Sequence, residues 1–494
     1  LPICERVSPY SPSDRRFLDP IFIDVTRLPP ELAAGIGAEA PRAVLAASRL
    51  QQATHVDYPA VWSAKDAVLR AAFSAFEGLA GGGAHPLVAE FDAFVAAGGE
   101  ALERFSAFEA IAAVTGVASS TGFPADLGHA TSRGVPDFVT RHRRVVRLSQ
   151  FRQWLASRQL AEAAERARKA GLELGFYRDL AVGCAPDGAE AWGAGKRLMH
   201  HVSVGAPPDP FAASGQVWSL PPLDPIESRR SGHAAFVELI RANMAHAGAL
   251  RIDHVLGLRR LFVVPDGAKG SEGAYLAQPF EDLIGQLTLE SRRAGCVVVG
   301  EDLGVVPWGF RERMAEAAVL SYQVLWFERE GEGFRPPRTY PPLGTAVLGS
   351  HDLATLAGWW IGADVDEDLG LGRMAAEAEE GARVWREREK RILIDTLIGA
   401  GLLARETYGE TLPSVLDDAI AAAIHGWASQ GRSMLALVQV DDVSGEVERL
   451  NLPGTDRERP NWRRRLSVGV EKLLDGTRGK AILAAVADRR IGKG

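Results

Sequence analysis

The stretch ALRIDHVLGLRRLFVVP, residues 249–265, sets Arg251, Asp253 and the imidazole of His254 into an otherwise aliphatic run. Such a run reads as a buried strand leading into a loop. Side chains two apart on a strand point the same way, so Arg251 and Asp253 share a face. Taken alone, an Arg–Asp pair of this kind plugs the end of a sheet. Taken with further acids, it is a carboxylate held ionised beside a guanidinium and ready for chemistry. The rest of the chain has to choose between the two.

From about Gly171 onward, short apolar runs alternate with helical patterns. The strand candidates are LELGFYRDLAV (172–182), ALRIDHVLG (249–257), CVVVGEDLG (296–304), AVLSYQVLWFE (318–328), TAVLGSHDLAT (345–355) and SMLALVQVDDV (433–443). Near-continuous apolar runs of this length suit parallel strands buried on both faces. Helical patterns such as FEDLIGQLTLESRRAG (280–295) and VPWGFRERMAEAA (306–318) lie between several of them. This alternation predicts a parallel α/β sheet or barrel, and periodicity alone does not separate the two. Residues 28–170 read as mostly helical, with Ala-rich amphipathic segments at 59–76 and 151–171. Two further helical segments, 371–400 and 414–430, fall between the last two strand candidates. GLAGGGAHP (78–86) and REGEGFRPPRTYPP (329–342) read as loops.

The composition is that of an ordinary globular protein: 494 residues, 46% hydrophobic, 24% charged, formal net charge −7. No basic field argues for nucleic acid or an anionic membrane. The short basic run NWRRRL (461–466) reads as a salt-bridged packing feature. Cys4, Cys184 and Cys296 lie far apart with no CxxC, which suits a reducing compartment, and thus the cytoplasm, rather than a disulfide or thiolate-metal framework. No run reaches the roughly 18 apolar residues of a membrane span. LPICERVSPYS lacks the pattern of a signal peptide.

Three strand candidates end in a polar cluster of one type: RIDH with Asp253, GEDLG with Glu301 and Asp302, and SHDLAT with His351 and Asp352. They recur about 50 residues apart, one or two β/α units, and in a barrel such strand ends converge on one mouth. Each acid alone is a cap or a salt bridge; three converging acids imply use of the charge, or a metal that neutralises it. A divalent cation would accept the carboxylates, and His254, His351 and Asp253 could compose a two-His, one-carboxylate set. Against a metal, no His pair has ligand spacing such as HxH or HExxH. Glycosidic chemistry needs one carboxylate as nucleophile and one carboxylic acid as proton donor.

With these residues in view, the chain resembles the 4-α-glucanotransferases, also called amylomaltases or disproportionating enzymes. Seven motifs follow in family order: SPYSPSDRRFLDPIFIDV (8–25), GFYRDLAVGCAPDGAEAW (175–192), SVGAPPDPFAASGQVWSLPPLDP (203–225), ALRIDHVLGLRRLFVVP, GEDLG, GSHDLATLAGWW (349–360) and NLPGT…PNWRRRL (451–466). The HDLAT form and the long helical insertion are closer to the large bacterial members. By position, the resemblance implies Asp253 as nucleophile, Glu301 as general acid/base and Asp352 as transition-state stabiliser. It further implies Arg251, His351, Asp179 and Tyr10 around the sugar bound there, and Asp209, Gln216 and Trp218 in a loop covering the substrate groove. Pro210-Phe211 stands where compact members carry an aromatic pair.

The fold implied is a (β/α)8 TIM-like barrel with large helical insertions. The six strand patterns then become strands three to eight, and the first strand is missing. On this reading residues 1–27 are the remainder of the N-terminal strand region and 28–145 a helical insertion. Residues 146–494 form the catalytic barrel, interrupted at about 364–430. The function implied is a retaining transfer of α-1,4-glucan segments between maltooligosaccharides or glucans, with no cofactor and no metal. That mechanism predicts Asp253 and Glu301 carboxyls about 5–6 Å apart. The alternatives are an α-glucan hydrolase of the α-amylase type and a catalytically inactive glucan-binding fragment.

Overall fold

A computed structural model describes residues 7–37, Arg42, 49–208, 214–455 and 457–490. Asp209 and Phe211 lie outside the described residues. The chain divides into two compact units, one of residues 1–53 and 57–302, the other of residues 54–56 and 303–494.

The first unit begins with helices, as the Ala-rich segments lead one to expect. Asp57 caps α1 (Tyr58–Gly81) by accepting from the Ala60 N–H at 3.0 Å, and Pro59 fits the first turn, where no N–H is needed. Helix α2 (Pro86–Thr115) is kinked at Gly99 (φ 48°, ψ −146°) and stops at the left-handed Gly116. Together with α3 (Arg143–Lys169) these helices enclose an aromatic core. Phe76 and Phe91 meet edge to face at 5.0 Å, and Phe73 lies 5.2 Å from Phe151.

Seven strands follow in this unit: β1 (Tyr177–Leu180), β2 (Val202–Ala206), β3 (Gln216–Leu220), β4 (Ala249–Ile252), β5 (Arg260–Pro265), β6 (Ala274–Ala277) and β7 (Val297–Gly300). Strands β1, β4 and β7 form a parallel sheet in the order β1-β4-β7. Helices α4 (Ala234–Met244) and α5 (Phe280–Ala294) lead into β4 and β7, the alternation read from the sequence. The other four strands make an antiparallel sheet, β3-β2-β5-β6. Residues 203–225, expected as a loop, therefore contain two hydrogen-bonded strands. The stretch 249–265 likewise contributes to two sheets, because His254 turns left-handed (φ 48°) and a 3-10 turn at Val255–Leu258 redirects the chain.

The second unit contains β8 (Ser321–Val324), β9 (Arg329–Glu330), β10 (Gly333–Phe334), β11 (Gly344–Val347) and β12 (Leu435–Ala436). Strands β8, β11 and β12 form a parallel sheet with β11 central. Strands β9 and β10 are a short hairpin inside the loop read at 329–342. Its helices include α6 (Leu356–Ile361), α7 (Ala363–Gly370), α8 (Glu379–Gly399), α9 (Asp418–Ala428), α10 (Val440–Ser444) and α11 (Thr477–Arg490), besides short ones at Phe310–Glu316 and Arg405–Tyr408. Leu393, Ile394 and Leu397 of α8 pack with Ile420 and Ile424 of α9 and with Trp360, all fully buried.

All six strand candidates contain a paired strand, each shorter than its apolar run. The last shows why. Of residues 433–443 only Leu435 and Ala436 pair, because the chain turns at Gln439, whose carbonyl accepts from the Asp442 and Val443 N–H groups and opens α10. The chain is α/β, and among the described residues no strand precedes β1. No helix among them is long and apolar enough to cross a membrane.

Candidate active site

Strands β4 and β7 pair with Ile252 opposite Gly300, so Asp253 and Glu301 leave the sheet at the same level on adjacent strands. Neighbouring strands lie about 4.8 Å apart, and alternation puts Arg251, Asp253 and Glu301 on one face. Asp179 stands opposite Arg251 on β1. Gly300 is required on the other face, since a Cβ there would come within 2.8 Å of the Val255 side chain.

Arg251 is 6% exposed and bridges two acids. Its Nη1 lies 2.8 Å from both oxygens of Asp179, and its Nη2 lies 2.8 Å from Oδ1 of Asp253. Burial works against the guanidinium's charge, but the carboxylates of Asp179 and Asp253 outweigh it and raise its pKa. The Tyr10 hydroxyl donates to Oδ2 of Asp179; burial and then the Asp179 charge raise its pKa and keep it protonated. Asp253 is pushed up to about 7, first by burial; Arg251 pulls it down while Asp179 and Glu301 push it further up. Arg251 thus restrains the Asp253 pKa without restoring an ordinary carboxylate.

Glu301, 8% exposed, accepts the backbone N–H of His254 at 2.9 Å. The left-handed turn at His254 aims that N–H at the carboxylate. Burial pushes the His254 ring down to about 4, so it is neutral at physiological pH. The Trp218 ring meets the His254 ring edge to face at 5.3 Å, and its Nε1 donates to Oε1 of Gln216 at 3.0 Å. Gln216 and Trp218 share one face of β3.

In the second unit, Asp352 lies in the turn between β11 and α6. Its Oδ1 accepts from the Asn451 amide at 2.6 Å, and its Oδ2 lies 3.4 Å from Nε2 of His351. The His351 and Trp462 rings are 5.2 Å apart. Thr355 caps α6 with its hydroxyl and sets the end of the HDLAT turn.

Tyr10, Asp179, Arg251, Asp253, Glu301, Gln216 and Trp218 thus belong to the first unit and form one linked set there through Arg251 and His254. Asp352 and His351 pair in the second. Sequence reasoning weighed His254 only as a possible metal ligand, and it missed Asn451, which heads NLPGT. The basic run at 461–466 is built into the packing as expected: the side chain of Arg464 is 6% exposed, paired with Asp441 and 3.4 Å from Glu446. Among the described residues no three His, Cys, Asp or Glu side chains are grouped so as to hold a metal ion.

Asp253 and Glu301 thus stand at adjacent parallel strand ends of an α/β chain, and Arg251 joins Asp253 to a third acid, Asp179; a pair of carboxyl groups is what glycosidic chemistry requires. Residues 1–471 match the family model described as 4-alpha-glucanotransferase, and the chain belongs to that family. It is 35% identical over 481 residues to the 4-alpha-glucanotransferase of Mycobacterium tuberculosis, covering 92% of this chain and 62% of the relative. The counterpart from Haemophilus influenzae is 30% identical over 473 residues, covering 93% and 67%. The crystal structure of amylomaltase from Corynebacterium glutamicum superposes with a TM-score of 0.86 at 29% identity, over 97% of this chain and 67% of that one. The chain therefore spans about two thirds of the length of the relatives it matches.

Proposed function

We propose that the chain carries the active site of a 4-α-glucanotransferase, moving a segment of an α-1,4-glucan onto the 4-hydroxyl of another glucose or glucan. The observation behind this reading is Asp253 and Glu301 at matched strand ends, with Arg251 shared between Asp253 and Asp179. Adjacent strand ends suit the carboxyl separation of about 5–5.5 Å of retaining enzymes rather than the wider inverting one.

Asp253 attacks the anomeric carbon and Glu301 gives its proton to the departing O4, so the C1–O4 bond breaks as a covalent glucosyl–Asp253 ester forms. Two carboxyls this close do not both ionise freely, which keeps a proton between them near neutrality. Glu301 then takes the proton of the acceptor 4-hydroxyl, and the acceptor oxygen displaces Asp253 with net retention. Asp352 and His351 grip the ring hydroxyls as the sugar distorts, where hydrogen bonds strengthen in the transition state. Asp179 and Tyr10 shape the same sugar site. Gln216 and Trp218 line the groove, with Asp209 in the same segment, and water is kept from the ester until an acceptor docks.

The two three-stranded parallel sheets are strands three to eight of a (β/α)8 barrel, with residues 28–145 and about 364–430 as helical insertions. Its partners are maltooligosaccharides and α-1,4-glucans, and its compartment is the reducing cytoplasm. Incubation with maltotriose tests the proposal. A ladder of longer maltooligosaccharides with glucose is expected, and Asp253→Asn abolishes it. Glucose and maltose alone would mean a hydrolase; binding without turnover would mean an inactive glucan-binding chain.

A further inference from the structure

Helix α7 carries Asp364, Asp366, Glu367 and Asp368 within five residues. Asp364 and Asp366 are engaged by Arg386 and Arg383 of α8. Glu367 instead pairs with Arg449 through Oε2 and, at 2.5 Å, with Arg459 through Oε1. The two arginine side chains are 9% and 4% exposed. Asp368 also accepts from Arg449 at 3.1 Å and Glu448 lies 3.9 Å from Arg459, but Glu367 is the carboxylate that both share, and buried guanidiniums side by side repel each other unless such a charge lies between them.

Arg459 then organises the loop that follows. Its Nη2 donates to the Arg449 carbonyl, and its Nη1 donates to the Leu450 carbonyl at 3.3 Å and to Oδ1 of Asn461 at 2.7 Å. That Oδ1 also accepts the Leu452 N–H at 3.0 Å. Trp462, left-handed at φ 61°, donates its N–H to the Leu450 carbonyl at 2.9 Å. A non-glycine residue holds such a conformation only where its surroundings over-determine it. Between these braced ends stands Asn451, whose amide donates to Asp352, and Trp462 sets its ring against His351.

We propose that Glu367 is a positioning residue: by neutralising Arg449 and Arg459 it holds residues 449–455 and 457–462 so that Asn451 orients the Asp352 carboxylate and Trp462 orients His351. The catalytic part of this inference rests on the transfer reading of Asp352 given above. It gives the acidic helix α7 a part in the chemistry, acting at a distance from the reacting sugar.

Glu367→Gln keeps the side-chain shape and removes the charge. With maltotriose, kcat falls about tenfold or more while KM stays within about twofold, because the Asp352 contact strengthens in the transition state. Asn451→Ala gives a smaller loss, and the double variant loses clearly less than the product of the two, since Glu367 acts in part through Asn451 and in part through Trp462. Amides of 449–455 and 457–462 exchange hydrogen at least about tenfold faster in Glu367→Gln, while those of β4 and β7 keep their protection. Full additivity of the two losses, or unchanged turnover and exchange, overturns the proposal. If Glu367→Gln does not fold, Arg459→Lys keeps the charge, removes the forked contacts and is read in the same way. A wild-type chain inactive on maltotriose would sink the transfer reading, and the exchange measurement would still decide whether Glu367 holds the loop.

Discussion

At the scale of single residues, the balance around Asp253 decides both stability and pH dependence. Its folded pKa of about 7 lies above the ordinary 3.8, because burial and the Asp179 and Glu301 charges outweigh Arg251. The folded chain therefore binds more protons than the unfolded one between pH about 4 and about 7. Stability falls as pH rises through that window and is level above it. The whole shift corresponds to about 4 kcal/mol at most. Asp253→Asn should remove this slope and stabilise the chain at pH 8, read from urea unfolding of both proteins at pH 5 and pH 8. Equal slopes in the two would rule out Asp253 as their source. For turnover, the nucleophile must ionise, so kcat/KM loses its value below about pH 7, and Arg251→Ala moves that limb upward. A limb that does not move would show that Arg251 does not govern the ionisation.

At the scale of elements, close backbone approach limits what the parallel sheet tolerates. Gly248, just before β4, donates its N–H to the Phe176 carbonyl, and its own carbonyl accepts from Val297, both at 2.9 Å. A Cβ at Gly248 would lie 1.3 Å from the Leu174 carbonyl oxygen, so the strand entry must shift. Gly248→Ala should cost about 3 kcal/mol or more, measured as a lower urea midpoint; a loss under 1 kcal/mol would mean that the entry yields freely. The cap of α1 is a smaller device. Asp57→Ala removes the acceptor for the Ala60 N–H and should cost about 1 kcal/mol. A thermal scan that left the variant's midpoint unchanged would show that packing of Phe73 and Phe76 holds the helix without the cap.

At the scale of the whole molecule, the paired carboxylates count only if they grip a sugar. A maltooligosaccharide bound by the folded chain alone stabilises it by mass action, about 2.7 kcal/mol at a hundred times Kd. The melting temperature should therefore rise by a few degrees in saturating maltoheptaose, and not in an equal mass of sucrose. No rise would remove the glucan partner from the proposal. Family membership comes from the match over residues 1–471, and the chain spans 62% of its mycobacterial relative. Activity on glucans is for this reason a question put to these 494 residues by the maltotriose assay.

By itself the sequence determined the alternation of apolar runs and helices, the acids at the strand ends and the ordered motifs of a 4-α-glucanotransferase. These are local properties, written in periodicity and in residue type. Tertiary structure decided the rest. Residues 203–225 became two antiparallel strands because β2 lies between β5 and β3 and pairs with both. The last apolar run kept only two paired residues, because the chain turns into α10 at Gln439. Asn451 reached Asp352 across 99 residues of chain, a contact that no spacing announces. The Asp253 pKa was decided there as well, since Arg251 beside it suggests an ordinary carboxylate until burial and two further acids are counted. Electrostatics and hydrogen bonds act through space, and only the folded chain fixes those distances.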